Sequence, residues 1–326
     1  MAAVVDKDRT ASRWLDPQVV SSLEALEFLA TQVVEGFITG LHTSPYRGYN
    51  QEFAEHRPYQ SGDELRYVDW KLYGRTDRFY VKQFEADTNL RATLMLDASA
   101  SMDFSGEDPP HLETQRPSSH LGLTKFDYAR RIAACLAYLL MRQRDATGLA
   151  IFNDALKTYI PARATAAHLR SLMEALDAAR PEGQTSLAKA LTELAMQFSR
   201  RGLVVVISDL VDDPESVLES LKLLRHRKHE VIVFHVMDRQ EWTLDYEGGI
   251  RFRNPEGYET IDSDPVRLRQ DYRREMRRIR EAYREGCVEH HIGYEWVLTD
   301  SPLERVLPAF LARRRGGIAA EMEMSL

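Results

Sequence analysis

The chain has 326 residues, 44% of them apolar and 29% charged, the composition of a folded globular protein with room for one large domain or two modest ones. With 43 basic against 50 acidic residues, its formal charge of −7 argues against a main task of gripping nucleic acid through its phosphates. Two cysteines, Cys135 and Cys287, with no CxxC pair, argue against a disulfide framework and a thiolate zinc site and fit a reducing cytoplasm.

From the N-terminus, residues 1–13 read as a loose tail, charged where a secretory signal needs its apolar stretch. The longest apolar run, near residues 136–141, is far too short to cross a bilayer. The expectation is a cytoplasmic protein without a membrane span. Residues 17–40 place Val20, Leu23, Leu26, Leu29, Val33 and Phe37 at helical spacing, with Gly40 as a stop. Residues 46–90 are rich in Tyr, Arg, Asp and Gly and read as short strands around a tight charged loop.

From residue 91 five short apolar runs follow, at 92–97, 148–153, 203–209, 231–236 and 294–298. The third, Leu-Val-Val-Val-Ile-Ser-Asp, is apolar on both faces, as a parallel strand covered by helices must be. Between the runs lie amphipathic helices at about 124–143, 165–178 and 186–199, one from 213 that ends in the basic run 225–229, one at 264–285 and a last one at 303–314. Asp213-Pro214 and Asp264-Pro265 each set an N-cap before a proline at the first helical position. Alternating strands and helices predict an α/β fold, a doubly wound and mainly parallel sheet whose ligands bind beyond the carboxyl ends of the strands. Residues 103–120, with three prolines, read as a loop beside that edge.

Chemistry concentrates at that edge. The first strand of the sheet ends in Asp97-Ala-Ser99-Ala-Ser101, a carboxylate and two hydroxyls at alternate positions. A later strand ends in Ser208-Asp209, and Gly183-Gln-Thr185-Ser brings another hydroxyl just before a helix. Carboxylate and hydroxyl oxygens suit a hard divalent cation such as Mg²⁺. The bland alternative makes Asp97 and Asp209 loop caps and the serines turn residues.

The ordered set Asp97-x-Ser99-x-Ser101, Thr185, Asp209 resembles the metal-ion-dependent adhesion site of von Willebrand factor A domains, over roughly residues 91–314. Upstream, Arg57-Pro-Tyr59-x-x-Gly62-Asp63-x-x-Arg66-Tyr-Val-Asp69-Trp70, then Arg75 and Tyr80-Val-Lys82-x-Phe84-Glu85, resembles the signature of the bacterial DUF58 family, proteins of unknown function that carry an A-like domain. The resemblance implies a von Willebrand A-like domain at 91–314, preceded by a helix and signature segment at 1–90 and followed by a tail at 315–326. It implies Mg²⁺ (or Mn²⁺ or Ca²⁺) held by Asp97, Ser99, Ser101, Thr185 and Asp209, and a protein partner offering an acidic residue. Because such proteins are commonly encoded beside MoxR-type AAA+ ATPases, it also implies that kind of partner, in chaperone-like assembly or maturation. The signature's mixed charges read as a structural clasp covered by Tyr59, Tyr67 and Trp70.

A different class of function, a metal-dependent phosphoesterase using Asp97 and Asp209, is less well supplied. Ser99 stands where HAD-type phosphatases carry a second Asp, and the chain has no GxxxxGK[ST], GxGxxG or GxSxG. The Arg225–His229 run reads as a solvated helix end, the arginines of 264–285 as a salt-bridged face, and His290-His291 as a surface pair.

Overall fold

The computed structural model describes residues 26–31, 33–34, 51–59, 68–86, 90–106, 123–198, 200–257 and 259–303. The expected tail at 1–13, much of the 17–40 helix, residues 62–67 of the signature, most of the 103–120 loop, the last helix beyond Leu303 and the tail at 315–326 lie outside them. The described part of the first helix, 26–31 and 33–34, is helical as expected.

Six strands form the central sheet: β3 (Arg91–Asp97), β4 (Ala146–Phe152), β5 (Leu156–Arg163), β6 (Leu203–Ser208), β7 (Glu230–Met237) and β10 (Gly293–Leu298). Their spatial order is β10-β7-β6-β3-β4-β5, with every pairing parallel except β4 with β5. Counted within this sheet, that is the order 3-2-1-4-5-6 of a doubly wound fold, with an antiparallel edge. The reversal point lies between β3 and β6, the strands that end in Asp97 and Ser208. All five apolar runs are strands. The edge strand β5 was not anticipated, because its pattern of partly exposed and exposed residues carries little apolar periodicity.

Alternation along the strands divides the core in two. Leu94 and Leu96 of β3, Val205 and Ile207 of β6, and Ile232 and Phe234 of β7 face one layer, with Ala129, Ile132 and Leu136 of helix α2 (Lys125–Arg142). Met95, Val204, Val206, Val231 and Val233 face the other, with α4 (Leu187–Gln197), α5 (Pro214–His226) and α7 (Pro265–Glu289). Helix α3 (Ala166–Ala178) completes the first layer through Leu172, Met173 and Leu176. The helix starts obey local chemistry. Thr124 accepts a hydrogen bond from the Asp127 amide at 3.0 Å, Asp213 from that of Ser216 at 3.0 Å, and Asp264 from that of Val266 at 3.1 Å.

Ahead of the sheet, β1 (Gln51–Pro58) pairs antiparallel with β2 (Tyr80–Ala86). Helix α1 (Trp70–Thr76) stands between them, where a charged loop was expected, because Asp69 caps it by accepting from the Leu72 amide at 3.0 Å. Trp70 is 58% exposed; its ring meets Phe79 edge-on, and Phe79 stacks on Tyr73 with centroids 4.4 Å apart. Two further strands, β8 (Ile250–Arg253) and β9 (Thr260–Ser263), form a separate hairpin between the short helix α6 (Arg239–Thr243) and α7. Along α7 the expected ion pairs form at i,i+3 spacing, Asp271–Arg274, Glu275–Arg278 and Glu281–Arg284. Cys135 and Cys287 are both buried and not disulfide-bonded. Among the described residues no helix is long and apolar enough to cross a membrane.

Candidate functional site

The strand register explains the site. Leu96 lies beside Ile207, so the next step along each strand brings Asp97 level with Ser208. Both side chains follow the alternation into the layer of Met95 and Val206, and the Ser208 hydroxyl donates to Asp97 Oδ2 at 2.6 Å. Asp97 Oδ1 accepts from the Ser99 amide at 2.9 Å, an Asx turn that bends the chain as it leaves β3. A single 3₁₀ turn, Ala100–Asp103, follows, anchored by the fully buried Met102. The turn brings the Ser99 and Ser101 hydroxyls to 3.0 Å from each other, both buried.

The third segment is stitched to the first. The Ala100 amide donates to Gly183 O and the Glu182 amide to Ala98 O, each at 2.9 Å. Gly183 has φ +76°, and a Cβ there would stand 3.1 Å from Asn153 Nδ2, so glycine serves both the left-handed turn and the close approach. Asn153 holds the loop by donating to Glu182 O at 2.9 Å. Thr185 therefore stands on the same rim as Ser99 and Ser101. Its hydroxyl and amide donate to Glu256 Oε1 and Oε2, at 2.8 and 2.9 Å.

Asp209 follows Ser208 and falls to the opposite layer by the same alternation, where α2 begins. The Lys125 ammonium, fully buried, donates to Asp209 Oδ2 at 2.8 Å and to Glu241 of α6 at 2.9 Å. Burial alone would lower the lysine's pKa; the two carboxylates more than offset it and hold the ammonium above the ordinary lysine range. Beyond Asp209, Leu210 takes a left-handed φ of 54°, a strained setting for a leucine. It is held there because its side chain is buried and its carbonyl accepts from the Tyr283 hydroxyl at 3.1 Å. His235 of β7 pairs through Nδ1 with the Tyr294 hydroxyl at 2.8 Å. Burial pushes its pKa down to about 3, so it stays neutral.

Asp97 differs from Asp209 in having no cationic side chain in ion-pair range among the described residues. Burial, and then the nearby Asp209 charge, push its carboxyl up to about 7. Asp97, Asp209 and Glu241, set against one ammonium, leave two negative charges in excess when all three acids are ionised. That excess and the hydroxyl pair fit a divalent cation. Adjacent oxygens of an octahedral Mg²⁺ shell lie about 2.9–3.0 Å apart, the spacing of the two serine hydroxyls. Among the described residues no group of three or more His, Cys, Asp or Glu side chains is placed to hold a metal ion, so such a centre would lean on hydroxyls.

All five expected residues thus stand at the carboxyl edge of the sheet, with two adjustments. Lys125 already occupies one oxygen of Asp209, so that acid does not offer a bare carboxylate. The Thr185 hydroxyl already has an acceptor in Glu256. Four residues of the site went unassigned in the sequence reading: Ser208, Lys125, Glu241 and Glu256. A cation at the first position of a helix opposes the macrodipole, so Lys125 was the one readable signal that a buried acid lay nearby.

Comparison with known proteins identifies the family. The family described as "Protein of unknown function DUF58" matches residues 55–282. The chain belongs to the DUF58 family. It is 30% identical over 265 residues to uncharacterized proteins of Mycobacterium bovis and Mycobacterium tuberculosis, covering 79% of this chain and 78% of each relative. Among solved structures, it is similar to the conserved hypothetical protein BatB from Bacteroides thetaiotaomicron, at 14% identity and a TM-score of 0.43, over 69% of this chain and 99% of that one. It is also similar to the VWA domain of SpRpn10, at 11% identity and a TM-score of 0.36, over 67% and 92%. The von Willebrand A-like fold of this DUF58 protein rests on its own sheet order and crossovers.

Proposed function

We propose that this DUF58 protein is a metal-dependent protein-interaction module, in which one Mg²⁺ (or Mn²⁺ or Ca²⁺) at the sheet's carboxyl edge docks an acidic side chain of a protein partner. The observation that carries the reading is the pair of buried hydroxyls, Ser99 and Ser101, 3.0 Å apart beside the buried Asp97 at the reversal point of the sheet. Ser99, Ser101 and Thr185 would hold the ion, with Asp97 and Asp209 supplying charge. When bound, the ion supplies a Lewis-acidic position that a carboxylate oxygen can complete. Lys125 fixes the orientation of Asp209, while Ser208 and the Ser99 amide fix that of Asp97. Hydroxyls rather than carboxylates would make up much of the ion's immediate shell, which leaves it electrophilic toward a carboxylate from outside.

The partner implied by the family resemblance is a MoxR-type AAA+ ATPase, in cytoplasmic, chaperone-like assembly or maturation. The phosphoesterase reading gains no supporting observation. His235, a buried histidine near Asp209, is committed through Nδ1 to the Tyr294 hydroxyl.

The test is binding of the immobilised full chain to a purified MoxR-type AAA+ ATPase of the same organism, at fixed Mg²⁺, with wild type and Ser99→Ala side by side. Binding lost in Ser99→Ala and in EDTA supports the reading. Equal binding by both proteins contradicts docking through the metal, and no binding by wild type contradicts that partner assignment.

A further inference from the structure

The hairpin between α6 and α7 ends in the turn Asn254-Pro255-Glu256-Gly257. Pro255 presets the second position of the turn, and the Gly257 amide closes it on Asn254 O at 3.3 Å. The Asn254 side chain adds rigidity by accepting from the Glu256 amide at 3.0 Å. The turn thus carries one glutamate on a stiff tip, 71 residues in sequence from Thr185, yet its carboxylate takes both polar groups Thr185 presents, hydroxyl and amide. Gln184 secures the same tip by donating to Glu256 O at 3.2 Å. Beyond the described strand pairing of β8 with β9, this is where the hairpin's polar contacts with the rim converge.

We infer that Glu256 is an internal ligand of the docking site. The hairpin tip holds its carboxylate on the metal rim, where a partner's acidic residue would arrive, and the partner must displace it. This inference rests on the metal-dependent docking function proposed above and adds its regulation. A tethered carboxylate competes at an effective concentration on the order of millimolar, so it screens out weak acidic contacts and yields to a partner with further contacts of its own. It also names the kind of group that fits: a glutamate carried on a turn, read by one hydroxyl and one backbone amide of Thr185.

The experiment uses the full chain as wild type, Glu256→Ala and Glu256→Gln, each first titrated with Mg²⁺ alone. Acetate is then titrated at saturating Mg²⁺ while the Thr185 amide resonance is followed. The expected result is unchanged Mg²⁺ affinity in all three proteins, with the Thr185 amide responding to acetate at concentrations at least tenfold lower in Glu256→Ala than in wild type. Glu256→Gln, which keeps the hairpin's shape, should fall between them. If Mg²⁺ affinity holds and the acetate response is the same in all three, the internal-ligand inference is overturned while the docking reading stands. If Mg²⁺ affinity falls in both variants, Glu256 is an outer support of Thr185 and the inference is again overturned. If wild type binds no Mg²⁺, the docking reading fails, and the inference fails with it.

Discussion

Asp97 and Asp209 lie at the ends of neighbouring strands, and both are buried, yet their surroundings have opposite character. Asp209 points into the α2 layer and meets a buried ammonium. Asp97 points into the other layer and meets hydroxyls and an amide. The one-residue offset between them decides this, because successive side chains of a strand face opposite sides of a sheet. On the proposed reading, Asp209 both anchors the fold through Lys125 and lends charge to the cation, whereas Asp97 has no ammonium of its own. The two acids look alike in sequence and should answer differently to the same substitution.

The largest effect should come from Lys125→Met, which leaves Asp209 and Glu241 without their cation. Loss of one partner from a buried ion pair costs about 3–5 kcal/mol, read as a fall in the chemical-unfolding free energy. Asp209→Asn should cost about 2 kcal/mol in chelator, since Lys125 keeps Glu241 but loses one charge-assisted hydrogen bond. Asp97→Asn should stay within about 1 kcal/mol of wild type in chelator, because it removes a buried charge that has no ammonium beside it. Equal costs for the two Asp→Asn variants would break the distinction between the two corners.

A smaller, pH-dependent effect sharpens the same contrast through His235, which sits against the Asp209 corner. Its folded pKa, near 3, lies below the ordinary value of 6.5, so the folded state refuses a proton that the unfolded chain accepts. The stability it confers is fully present above about pH 6.5 and is lost as pH falls toward 3, at roughly 1 kcal/mol per pH unit. The difference in unfolding free energy between wild type and His235→Gln, measured from pH 7 to 4, should follow that slope. A flat difference would show that His235 takes up its proton without cost.

The sheet and its edge were legible in the sequence for a physical reason. A strand buried on both faces must be continuously apolar, so 203–209 announces itself, and an acid ending such a strand marks the edge where ligands bind. Capped helices at Asp213-Pro214 and Asp264-Pro265 were equally plain. The partners of the acids were not legible, because they come from far along the chain. Lys125 lies 84 residues from Asp209, and Glu256 lies 71 from Thr185. Only the folded topology brings them together. Helix α1 was hidden in a segment whose aromatic and charged residues carry no helical period, so its cap, Asp69, read as one more charge in the signature.

The central proposal is that the Asp97 corner, with the Asp209 charge beside it, takes a divalent cation. Isothermal titration of the full chain with Mg²⁺, after chelator treatment and its removal, tests it directly. Wild type should bind one ion per chain, and Asp97→Asn, still folded, should lose at least tenfold in affinity. No binding by wild type, or equal binding by a folded Asp97→Asn, would contradict the account.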